Sequence, residues 1–432
     1  IDNNAQSNAI GINVDVPDAG NRVSDITIDG RINISTQGDN DNLGSNNYGL
    51  LIEGDGTLQG NIFFDGQGDI RLFGDNSAAV SIQSDLLGNL TLDTVSITGD
   101  NSNAVEIFGD VTGNVVTIAN IDARNLDNHG MYVGGNITGS IKNRGAIQTG
   151  TDSSFNFNTN ITTPAVSGIA SLRISSNVTG GFENRIVYFD INGDEIDVAE
   201  TVSTAGLSSD TSSITALGGG YAVMITPEKI DDAPWTNITL GIANSFYGDY
   251  SFVNQGTIRS RGINSGQEST AILISGATKD ATAYSTTLTN GLYNGLWGNI
   301  ESEALHARSQ AIDIGVDTSV PEIVNNGLIS SRTQTTFDDE GIRSGSGGNS
   351  YGINIASSSQ VNRIENNGTF TVIAAGESTS AFGIIDNSGT VTEFRNTGIL
   401  STTIDADSSG NTIALDLSKN STTIDFENTG QI

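Results

Sequence analysis

Along the chain, short runs place a small residue before an aliphatic, any residue, and a second aliphatic. The clearest are Ala9-Ile10-Gly11-Ile12, Gly49-Leu50-Leu51-Ile52, Ala79-Val80-Ser81-Ile82, Ala104-Val105-Glu106-Ile107 and Gly130-Met131-Tyr132-Val133. The run returns at Ala222-Val223-Met224-Ile225, Ala271-Ile272-Leu273-Ile274, Ala311-Ile312-Asp313-Ile314, Gly352-Ile353-Asn354-Ile355 and Ala414-Leu415-Asp416-Leu417. Ala165-Val166 and Gly383-Ile384-Ile385 are degenerate copies. Apolar residues at a period of two predict short strands with one buried face.

A second pattern follows: aliphatic or Phe, any, Asn, any, Gly, any, aliphatic. It occurs as Ile323-Val324-Asn325-Asn326-Gly327-Leu328-Ile329 and again around Asn143, Asn254, Asn366, Asn387, Asn396 and Asn428. The two patterns keep register. Ala311 leads to Ile323, Asn325, Gly327 and Ile329; Gly352 leads at the same offsets to Ile364, Asn366, Gly368 and Phe370. Ala414 leads likewise to Phe426, Asn428, Gly430 and Ile432. From Gly130 and Gly383 each offset is one residue shorter.

The C-terminal copies start 41, 31 and 31 residues apart, so the period varies while the strand core does not. Variable length beside a constant core marks loops on one side of a stack. One coil cannot bury its apolar face alone and must stack on its neighbours. These features predict an all-β fold, a single-stranded parallel β-helix or β-solenoid of about twelve coils. At one strand spacing per coil, the rod is on the order of 55–60 Å long. The solenoid runs continuously over residues 1–432, with long protruding insertions over residues 134–310. The Asn residues are expected at corners, in left-handed backbone, with amides bonded to the next coil. The Gly after each is expected to permit a tight bend.

Composition narrows the class. There are 50 acidic and 18 basic residues, a net charge of −32, which opposes binding to nucleic acid or anionic lipid. Cysteine is absent, so a disulfide framework and thiolate metal sites are excluded. No signal peptide and no run of apolar residues long enough to cross a membrane is found, so this segment is not expected to insert directly. Ile1 is not Met and Ile432 falls inside a repeat, which fits a processed part of a longer polypeptide with one uncapped end. Exposed strand edges make self-association an expectation.

The Asn-x-Gly-x-Ile corners, the small-Ile-x-Ile strands, the missing Cys and the acidic Ser, Thr, Asn and Gly composition resemble passenger domains of autotransporters. The resemblance covers nearly the whole chain as a pattern. It implies a right-handed β-helix, export through the outer membrane of a Gram-negative bacterium, and an extracellular, cell-surface role as adhesin, fibre or coat. The family's C-terminal membrane β-barrel is not among these residues. Filamentous haemagglutinin-like adhesins, phage tailspikes, surface-layer proteins and pectin-degrading enzymes have similar coils. The tailspikes and the pectin-degrading enzymes supply the alternative, a polysaccharide-degrading β-helix enzyme.

Candidate chemistry is sparse. Gly74-Asp75-Asn76-Ser77 does not match the Gly-Asp-Ser-Gly nucleophile motif of passenger proteases. The only histidines are His129 and His306. Asp127-Asn128-His129-Gly130 resembles the Gly-His-Gly element of polygalacturonases, without the paired carboxylates that hydrolysis needs. No catalytic residue is expected. Asp190, Asn192, Asp194 and Asp197 collect oxygen ligands in one loop and make calcium a candidate, although the spacing departs from an EF-hand. Gly66-Gln67-Gly68-Asp69-Ile70 resembles half of a calcium-binding nonapeptide, with no tandem copy. No cofactor is required. Trp235, Tyr247, Tyr250, Tyr284, Tyr293 and Trp297 cluster where the coils swell. On protruding loops they are candidates for contact with a carbohydrate or protein surface ligand. The competing reading is a small aromatic core within the insertions. Phe252 belongs inside, at the position before Asn254.

Overall fold

A computed structural model describes residues 2–3, 7–17, 21–34, 44–150, 169–192, 194–200, 204, 207–229, 234–243, 245–336, 345, 347–405 and 408–432. All regular elements among them are strands. Three 12-stranded sheets run the length of the chain, each stacked in sequence order. The pairing is parallel throughout them, as in Ser309–Ile314 on Ser350–Ile355. Each coil places one strand in each sheet. One coil, for example, runs Ser309–Ile314, Glu322–Asn325 and Leu328–Gln334. The fold is therefore the expected parallel β-solenoid of twelve coils.

The first sheet carries the small-aliphatic-x-aliphatic strands. Ile312 pairs with Ile353 and Ile314 with Ile355, and all four are buried. Leu415 and Leu417 pack against the same core from the last described coil, partly covered. The small residue makes room for the third sheet. A Cβ on Gly352 would lie 2.1 Å from the Phe370 ring, and one on Gly49 would lie 2.4 Å from Ile70 Cγ2. Small residues here complement large ones opposite, as close packing demands.

The degenerate copies have separate explanations. Ala165-Val166 lies outside the described residues. The described strand of that coil is Ala170–Ile174, with buried Ser171 in the small position. In the Gly383 copy the second aliphatic is replaced by Asp386, which pairs with Ile355. Its buried carboxylate accepts hydrogen bonds from the backbone N–H of Ser388, Gly389 and Val391. A buried charge with that many donors caps a turn in place of an apolar contact.

The second sheet holds the asparagines. Asn143, Asn184, Asn254, Asn294, Asn325, Asn366, Asn396 and Asn428 occupy one register position on successive strands. Each Nδ2 donates to the Oδ1 of the next, over 2.7–2.8 Å. The first coils place Ile28, Phe64 and Leu92 at this position, and Thr117 makes the transition by donating to Asn143 Oδ1.

Two details differ from expectation. The ladder asparagines are strand residues without positive φ, so the buried amide chain, not left-handed backbone, explains Asn. The Gly two residues on is needed for close approach between coils. A Cβ on Gly368 would lie 2.1 Å from the Gly327 carbonyl oxygen, and one on Gly398 as close to that of Gly368. Asn387 is not on the ladder; it is exposed, beside the turn capped by Asp386.

The ladder yields a test. Asn254→Leu should strand the Asn184 donor and the Asn294 acceptor, costing about 2–4 kcal/mol. Asn428→Leu, at the last described strand, should cost less than half of that. Urea unfolding followed by tryptophan fluorescence and circular dichroism measures both. Equal losses would contradict a continuous amide chain.

Candidate functional site

The outward face of the first sheet carries a polar cluster in the middle of the rod. Its strands place Glu106, Tyr132, Arg173 and Met224 side by side at the variable position of the repeat. Glu228, in the segment after the strand Gly220–Ile225, folds back over them. The Tyr132 hydroxyl donates to Glu228 Oε2 at 2.5 Å, and Arg173 pairs with the same carboxylate. Arg173 also stacks over the Tyr132 ring at 5.0 Å, and Phe108 meets that ring edge-on at 5.3 Å. One carboxylate thus anchors an insertion to the solenoid wall through a charge-assisted pair.

Burial raises the Tyr132 phenol well above its ordinary value, so it stays a donor. His129 lies beside it, ring centroids 5.0 Å apart, with Nδ1 3.3 Å from the Ala170 carbonyl oxygen. Burial, with the Arg173 charge adding to it, lowers the imidazole to about 3. His129 is therefore neutral at pH 7 and packed between strands, an arrangement that supports a structural role.

Beside this cluster a groove of about 430 Å³ opens between the solenoid and the anchored segment. It is lined by Phe108, Asp110 and Asn136, by Gly134-Gly135 and Ser175-Ser176 of two successive coils, and by Glu228, Pro234 and Thr236. A corner ladder orients the polar groups. Asp110 N–H donates to Asp85 Oδ1 at 3.0 Å, and Asp110 Oδ1 accepts the Asn136 backbone N–H at 2.7 Å and its amide at 3.0 Å.

In the candidate calcium loop the carboxylates of Asp190 and Asp197 have protein partners. Asp190 Oδ1 accepts the backbone N–H of Asn192 and of Asp194, at 2.8 and 2.9 Å. Asp197 pairs with Arg185 at 3.1 Å. Among the described residues no group of three or more His, Cys, Asp or Glu is placed to hold a metal. Asp69, of the nonapeptide-like string, is paired with Arg31 and Arg71. Asp127 stands in an exposed turn, and His306 accepts the Thr336 backbone N–H at 3.1 Å.

The six aromatic candidates fall into two groups. Trp235 packs on Tyr284, ring centroids 5.4 Å apart. Tyr250 stacks on Tyr293 at 4.9 Å, and Tyr247 meets Trp297 edge-on at 6.3 Å. Tyr188, from an antiparallel sheet formed by Val187–Phe189, Glu195–Ile196 and Ser208–Asp210, joins Trp297 at 5.4 Å. Tyr247 and Tyr250 cover outward-facing Val253, Tyr293 and Val324 in a small core separate from the main one. Glu200 ties this flank down, accepting from the Tyr293 hydroxyl at 2.8 Å and the Gln255 amide at 2.6 Å. Five of the six rings are half-buried and Tyr293 is buried, so these aromatics mainly pack insertions against the rod. Phe252 is wholly buried, as expected.

The sequence pattern did not single out Phe108, Tyr132, Arg173 or Glu228. The available signal was the variable strand position, which turns bulky and charged at Glu106, Tyr132 and Arg173. Compared with known proteins, the chain matches no family model, no curated protein and no solved structure.

The buried histidine makes stability depend on pH. Its folded value of about 3 lies below the ordinary 6.5, so folding expels a proton. The contribution is complete above pH 6.5 and declines as pH falls towards 3, by up to about 1.4 kcal/mol per pH unit. Urea midpoints from pH 7 to 4 should fall more steeply for the native protein than for His129→Gln. Parallel curves would contradict a neutral, buried His129.

Proposed function

We propose that this chain is an extracellular bacterial surface protein, a rigid scaffold that acts as adhesin, fibre or coat through insertions on its flanks. The observation that carries the reading is the unbroken register of the solenoid through its insertions. The asparagine bonds join residues 41, 70, 40 and 31 positions apart in sequence, at nearly constant length. A repeat scaffold that absorbs insertions without losing stacking suits the display of side modules along a rod. The antiparallel sheet of Val187–Phe189, Glu195–Ile196 and Ser208–Asp210 and the anchor point at Glu228 are two such modules.

Charge and composition support the same reading. A net charge of −32 favours solubility and keeps a rod from adhering without selection to anionic surfaces. A chain without cysteine can cross an oxidising compartment unbridged. Export through the outer membrane, as in autotransporter passengers, is the route we propose, and carbohydrate or protein surface ligands are the proposed partners.

Display on cells tests this. Gram-negative cells carrying the chain on a membrane β-barrel should expose it to external antibody. They should adhere to epithelial cells, to polysaccharide-coated surfaces or to each other several-fold more than cells displaying the barrel alone. Correct exposure without any gain in adhesion or intercellular contact would sink the adhesive reading.

A further inference from the structure

We propose that the groove between Phe108, Asp110 and Thr236 is a binding site for a neutral oligosaccharide. This deepens the adhesive reading and rests on it. The groove's volume, about 430 Å³, falls among clefts that hold small ligands.

Its surfaces divide as sugar recognition requires. Phe108 offers a half-buried ring on one side, suited to the C–H face of a pyranose. Two glycines and two serines of successive coils, Gly134-Gly135 and Ser175-Ser176, are among its lining, and their small side chains let a flat ring approach the backbone. The Ser176 hydroxyl is occupied, donating to the Gly135 carbonyl at 2.6 Å, which ties those two coils together under the groove. Asp110 and Asn136 stand at the rim as acceptor and donor. The corner ladder fixes both, so they lose little freedom on binding. A carboxylate beside an amide can take two adjacent hydroxyls of one sugar.

Electrostatics select the class. Glu228 is balanced by Arg173 and Tyr132, whereas none of the described residues lining the groove is a Lys or Arg that could pair with Asp110. That carboxylate and the acidic chain repel uronates, sialic acids and phosphate. Glu228 also holds the far side in place, which makes it a positioning residue for the groove.

The full chain should be titrated calorimetrically with a panel of neutral and acidic oligosaccharides. Binding is expected for neutral members and not for uronate-containing ones. Thr236→Trp, which fills the groove, and Asp110→Ala, which removes the acceptor, should each weaken binding at least tenfold. Thr236 is exposed and outside the ladder, so its variant should melt close to the native protein; Asp110→Ala also removes the ladder acceptor of Asn136, so Asp110→Asn, which keeps that acceptor, serves as its folding control. Failure to bind any neutral oligosaccharide, binding that survives both substitutions, or preference for acidic sugars or basic peptides would overturn the site. Cell adhesion that persists unchanged in both variants would overturn the groove and leave the surface reading intact. Sugar binding lost in the variants, from a chain that confers no adhesion when displayed, would uphold the groove and overturn the surface reading.

Discussion

A buried carboxamide must have its N–H and its C=O paired, and on this rod each pairs with the same group one coil away. The chain from Asn143 to Asn428 is therefore directional and indivisible. A carboxamide left without its neighbour would strand a donor or an acceptor away from water, at a cost of about 1–3 kcal/mol for each. From Asn143 onward this constraint fixes the register of the second sheet, while in the first coils Ile28, Phe64 and Leu92 hold the same position by apolar stacking. Inserted residues are tolerated only where they leave the position of the next asparagine unchanged. That is why the coils lengthen at loops by tens of residues and never within a strand.

The same constraint determines where specific recognition can arise. Inward positions are committed to stacking, and outward variable positions are free. The protein uses those outward positions to fasten its insertions. Tyr132 and Arg173 hold Glu228, Tyr293 and Gln255 hold Glu200, and Arg185 holds Glu195 and Asp197. Each fastening pairs charges or charged hydrogen bonds on a partly covered surface, where they retain more strength than in open water. The groove is lined by Glu228, which Tyr132 and Arg173 hold, together with Pro234 and Thr236.

Much of the scaffold was legible in the sequence, because period-two strands and a fixed offset to Asn and Gly are direct consequences of stacking. The ladder was legible only in part. Asn184 and Asn294 lack a Gly two residues on, and Phe64 and Leu92 hold the same place with apolar side chains. Glycine also serves a different need from the expected bend. Its absent Cβ matters at Gly368 for contact with the coil below, while its backbone freedom is not used there. Candidate sites were less legible, since they combine residues as distant as Tyr132 and Glu228. Sequence windows show aromatics gathering at 235–297, and only the folded chain shows them serving two separate packings.

Amide hydrogen exchange across the second sheet tests the central claim most directly. If one amide chain unites the coils, the strands Phe182–Asn184 and Phe252–Asn254, which flank the longest insertion, should exchange as slowly as Glu322–Asn325 and Arg363–Asn366 in the regular coils. Rapid exchange confined to the strands beside the insertion would show that the rod breaks into two independently stable stacks, and would contradict the account.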